Sequence, residues 1–139
     1  MRTDQIWRSE EQAIFALRGL YQRYGYTPYK MSQFEEYDLY VRNKDFLISD
    51  RIITFSGEGG KLMALKPDVT LSIVKNAPEA SGVVQKVYYS ENVYRDYREI
   101  MQAGLECVGD LTDYDIAEAV VLAAKSLALL GENYVLDIS

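Results

Sequence analysis

The chain has 139 residues, 48% hydrophobic and 26% charged, a length and balance that fit one globular domain with a real core. Its 21 acidic and 15 basic residues give a net charge of -6, and the basic residues are scattered, with no run longer than two; tight nucleic-acid binding is therefore not expected. The absence of histidine and the single cysteine, Cys107, exclude His-based acid–base catalysis, Ser-His triads, His or Cys-cluster metal sites and an internal disulfide.

Ser9-Glu10-Glu11-Gln12 reads as a capping box, with Ser9 as N-cap. Ile14, Leu17, Tyr21 and Tyr24 then recur at helical spacing, and Gly25 and Pro28 end the helix. Short extended pieces are expected from Tyr29 to Tyr37, and loop with a helical turn from there to Asp50. Arg51–Phe55 and Leu62–Leu65 read as a hairpin around the glycine-rich turn 56–60. That turn lacks the strand–glycine–helix context and the Lys-Ser/Thr of a phosphate loop. Pro67 and Asp68 start a short helix through Lys75. Val84–Ser90, Asn92–Arg95 and Ile100–Gly109 read as strands. Asp110–Asp113 caps a helix over Tyr114–Leu130, whose apolar stripe includes Ile116, Val120, Ala123 and Leu127. Tyr134–Ile138 reads as a final strand, which implies the front part of a longer protein. The order is that of an α+β fold with a mostly antiparallel sheet flanked by helices. With no apolar run of about twenty residues and no signal-peptide pattern, a soluble cytoplasmic protein without a membrane contact is expected.

Two patches carry chemistry. One is Leu65-Lys66-Pro67-Asp68-Val69-Thr70; the other is Tyr94-Arg95, followed by Met101-Gln102-Ala103-Gly104-Leu105-Glu106. Gln102 and Glu106 share parity and so face one side of a strand. Together the patches offer one fixed cation and two acids, which suits a zwitterionic amino acid better than a phosphate. Each residue also has a plainer reading. Asp68 suits a helix cap and Thr70 the first turn, Arg95 suits a salt bridge with Glu91 or Asp96, and Gln102 and Glu106 suit a solvated sheet face. Cys107 fits the core.

The stretches LMALKPDVTLSIVK (62–75) and VYYSENVYRDYREIMQAGLECVG (87–109) resemble the catalytic core of class II histidyl-tRNA synthetases. They are closer still to a non-synthetase branch, the regulatory subunits of ATP phosphoribosyltransferase, which serve the first step of histidine biosynthesis. The resemblance runs from about Ser9 to Ser139 and covers motifs 1 and 2 of the core; motif 3 is absent. It implies a histidine pocket. Asp68 and Thr70 would accept from the ammonium, Arg95 would pair with the carboxylate through its planar fork, Glu106 would accept from an imidazole N–H, and Gln102 would bridge.

Synthetases carry a long motif 2 loop that holds ATP and reaches the tRNA. Here six residues separate Arg95 from Gln102, and folded back they reach roughly 10 Å at about 3.5 Å per residue. The resemblance therefore favours a non-catalytic regulatory subunit, with no metal or cofactor, partnered by histidine, a separate catalytic subunit and a second copy of itself. The alternatives are a histidyl-tRNA synthetase fragment and a ligand-free scaffold.

Overall fold

The computed structural model describes residues 9–44, 51–77, 82–131 and 133–138. They form two compact units. The first comprises residues 1–28, 78–88 and 105–139; the second comprises 29–77 and 89–104.

In the first unit, helix α1 (Ser9–Arg23) buries Leu17, Leu20 and Tyr21, an i, i+3, i+4 stripe on one face. Acidic Glu10 and Glu11 in its first turn and Arg23 in its last match the helix dipole. The helix begins at Ser9 itself, so the residue that caps it lies outside the described ones. Its other end closes on Gly25, whose φ of 83° suits glycine. There the Gly25 N–H donates to the Gln22 carbonyl and the Tyr26 N–H to the Tyr21 carbonyl, both at 3.1 Å, the paired bonds of a Schellman end.

Strand β1 (Thr27–Pro28) runs parallel to the start of β5 (Val84–Arg95), Thr27 opposite Val87. Leu17, Leu20, Tyr21, Tyr26, Tyr88 and Leu122 form the core, with Leu105 against it. Two of its tyrosines, Tyr21 and Tyr88, bury their rings and keep their polar tips hydrogen-bonded. The Tyr21 hydroxyl lies 2.7 Å from Ser126 Oγ, and Gln22 Nε2 donates to the Tyr88 hydroxyl at 2.9 Å. Leu122 and Ser126 belong to α4 (Asp113–Leu130), capped by Thr112. Thr112 Oγ accepts from the Asp115 N–H, and Asp115 Oδ2 accepts from the Thr112 N–H at 2.9 Å. The expected strand at Tyr134–Ile138 is not one: residues 133–138 have no regular structure, and Val135 is 88% exposed. Its β-branched residues give it strand propensity, but no ladder partner holds it among the described residues.

In the second unit, β2 (Phe34–Glu36), β4 (Leu62–Leu65) and β3 (Thr54–Ser56) form an antiparallel sheet in that order. The glycine-rich turn holds as expected, with Gly59 and Gly60 at φ of 71° and 78°. The β3 strand starts only at Thr54, later than the sequence pattern implies. Helix α2 (Tyr37–Val41) and helix α3 (Thr70–Lys75) cover this sheet through Leu39, Tyr40 and Leu71, which pack with Ala64.

Strand β6 (Arg98–Gly109) follows β5 through a two-residue turn, Asp96-Tyr97. Both turn residues are left-handed, at φ of 50° and 62°, the signature of a type I′ hairpin. The sequence reading interrupted β5 at Glu91; the strand is continuous. A two-residue connection sets Arg95 opposite Arg98, and hence Glu91 opposite Gln102 and Tyr89 opposite Gly104. The last pair is visible directly, since a Cβ added at Gly104 would sit 2.7 Å from the Tyr89 hydroxyl.

Candidate functional site

The end of β4, the start of α3 and the β5–β6 hairpin bring the second unit's charged residues together. Lys66 leaves β4 fully buried, at 0% exposure. Its backbone is clamped on both sides: its N–H donates to the Gln33 carbonyl at 3.0 Å, and its carbonyl accepts from the Tyr94 N–H at 2.9 Å. Its Nζ donates to Glu91 Oε2 at 3.2 Å. A buried ammonium is costly without a counter-charge, and Glu91 supplies one while keeping 19% of its side chain accessible.

Two residues on, Asp68 Oδ2 accepts from the Leu71 N–H at 3.2 Å, and Asp68 Oδ1 lies 3.7 Å from Arg95 Nη2. The Arg95 Nε donates to the Pro67 carbonyl at 2.6 Å. Asp68 therefore does cap the first turn of α3, and it faces Arg95 as well. The helix itself begins at Thr70, later than the expected start at Pro67.

Of the five residues expected at the site, the second unit holds four. Asp68 and Arg95 are in contact, Thr70 opens α3, and Gln102 lies on β6. Glu106 lies four residues further along β6, in the first unit. Gln102 Oε1 is buried and has no hydrogen-bond partner among the described residues. Such an atom is the kind that a ligand satisfies.

Arg95 makes a salt bridge with Asp68, a partner the sequence reading did not name. The sequence reading missed Lys66 and Glu91 as site residues. The cluster around α3 and the hairpin thus pairs two cations, Lys66 and Arg95, with two acids, Asp68 and Glu91, where one cation had been counted. The signal was faint, because lysine in a Leu-Lys-Pro run reads as surface. Elsewhere, burial pushes the Cys107 thiol above its ordinary pKa, away from the thiolate form. No helix among the described residues is long and apolar enough to cross a membrane.

Residues 3–139 match the family model described as histidyl-tRNA synthetase. The chain belongs to the histidyl-tRNA synthetase family. A histidine–tRNA ligase from Archaeoglobus fulgidus is 28% identical over 132 residues, which is 88% of this chain and 32% of the ligase. An ATP phosphoribosyltransferase regulatory subunit from Ruminiclostridium cellulolyticum is 25% identical over 125 residues, 83% of this chain and 30% of that subunit. Among solved structures, a histidine–tRNA ligase subunit from Alicyclobacillus acidocaldarius superposes with a TM-score of 0.75 at 27% identity, covering 90% of this chain and 38% of that one. The family fold is the class II synthetase-like α+β fold, and the present architecture is an instance of it. The chain spans about a third of the length of the curated relatives it matches.

Proposed function

We propose that this chain is part of a non-catalytic regulatory subunit of ATP phosphoribosyltransferase, binding histidine and relaying feedback control to a separate catalytic subunit. The observation that carries this reading is the Asp96-Tyr97 turn. Strand β5 ends at Arg95 and β6 begins at Arg98, so the hairpin offers two residues where a synthetase needs a loop long enough to hold a nucleotide.

The geometry of the second unit supports an amino-acid ligand. Arg95 and Asp68 meet at 3.7 Å, a loose pair that a zwitterion can enter, carboxylate toward the guanidinium and ammonium toward the acids. Thr70 adds a hydroxyl acceptor and Gln102 an unsatisfied amide oxygen. Regulation is then linkage: histidine stabilises one state of the assembly and shifts its population. Such a subunit works in contact with its catalytic partner and as a homodimer.

The competing reading is a histidine–tRNA ligase, favoured by the 28% identity to one. Pyrophosphate exchange dependent on histidine and ATP separates the two. The intact protein is expected to give no exchange above background. A clear rate overturns the regulatory reading and establishes the ligase.

A further inference from the structure

The arrangement around Lys66 asks more of Glu91 than charge neutralisation. Lys66 is completely buried, yet the carboxylate that compensates it remains 19% accessible. One oxygen of Glu91 takes the lysine. The hairpin register places Glu91 opposite Gln102 on the same sheet face, where cross-strand Cβ atoms lie about 5 Å apart. Gln102 Oε1 is itself buried and unpartnered. Asp68, by contrast, has one oxygen on the Leu71 N–H and the other toward Arg95. On this face the unpartnered Gln102 Oε1 thus stands beside Glu91, which an internal cation holds.

We propose that Glu91 is a further specificity-determining residue, accepting the α-ammonium of the bound amino acid together with Gln102, and that Lys66 is the positioning residue that fixes it. The proposal rests on the reading of this site as an amino-acid pocket. An ammonium matches the Glu91 carboxylate in charge and has N–H donors enough for both acceptors. The buried lysine would hold the Glu91 carboxylate in place, so little ordering remains to be done on binding.

The test is calorimetric titration of the intact protein with histidine and with imidazolepropionate, which is histidine without its ammonium. In Glu91→Gln, histidine affinity is expected to fall about ten- to a hundredfold, the range for a hydrogen bond to a charged group, while imidazolepropionate binding is unchanged. Lys66→Met is expected to reproduce the selective loss, and Lys66→Arg to restore part of it. Where Glu91→Gln does not fold, the double variant Lys66→Met/Glu91→Gln replaces the ion pair by a neutral pair and carries the same comparison. Equal losses for both ligands, or no loss for either, overturn the assignment of Glu91. A wild-type protein that binds neither ligand overturns the histidine reading itself and, with it, the ligand assigned to Glu91.

Discussion

Arg95 is engaged before any ligand arrives. Its Nε is fixed on the Pro67 carbonyl at 2.6 Å, and one terminal nitrogen leans toward Asp68. This leaves donors of the guanidinium fork for a carboxylate and orients them in advance, which is the condition for bidentate recognition. Truncating one partner of a buried charged hydrogen bond costs about 2–5 kcal/mol. Arg95→Ala is therefore expected to bring histidine binding close to zero in calorimetry, and Arg95→Lys to restore charge without the fork and rescue poorly.

A second residue-scale prediction concerns Thr112. Its N–H and hydroxyl hold the Asp115 carboxyl below its usual pKa. A depressed carboxyl stabilises the fold above its unfolded pKa, about 3.9, and that contribution disappears as pH falls through the lower folded value. Thr112→Ala is expected to cost about 1 kcal/mol at neutral pH. In thermal melts the gap between wild type and variant should narrow below about pH 4. A gap that stays constant into acid would mean that the capping box adds nothing through charge.

At the scale of the element, the β5–β6 turn is the informative feature. Asp96 and Tyr97 both take left-handed backbone, a conformation that costs a non-glycine residue roughly 1–2 kcal/mol. Asn and Gly are the residues such a turn prefers. Tyr97→Gly is therefore expected to raise the melting temperature and leave histidine binding unchanged, because Tyr97 is 74% exposed at the hairpin tip. A drop in stability would show that the tyrosine ring has a contact worth more than the strain. The turn also shows what was legible in the sequence. The six residues between Arg95 and Gln102 could be counted, so a short connection was readable. That β6 begins already at Arg98 rather than Ile100 was not, since Arg-Glu carries little strand signal. Helix α4 was legible because its apolar spacing and its Thr-Asp-Tyr-Asp start are local signals. The continuity of β5 through Glu91 was hidden, because polar Ser90, Glu91 and Asn92 read as a break until the partner strand is known. Lys66 was hidden for a similar reason: its burial depends on Glu91, 25 residues away, and on the Gln33 carbonyl. Local pattern does not encode that distance. The C-terminal segment misled in the opposite direction, since β-branched residues alone do not make a strand without a neighbour.

For the molecule as a whole, the described surface retains much apolar area for a chain with a net charge of -6. In the first unit, Phe15 on α1 is 70% exposed, and Tyr114 and Ile116 on α4 are 71% and 53% exposed. Among the described residues, strand β6 stands at the edge of its three-stranded sheet and is twelve residues long, and a long edge strand invites pairing. Apolar faces of this kind are ordinarily covered in the working assembly. The expectation is a homodimer of the intact protein, stable to dilution. Light scattering coupled to size exclusion is expected to give twice the monomer mass, and Phe15→Glu to shift that mass toward the monomer without lowering helix content by circular dichroism. A strict monomer at high concentration would sink the dimer. A dimer unaffected by Phe15→Glu would move the contact away from α1 and leave the β6 edge as the element to test, by a proline at a position whose N–H points outward from the sheet.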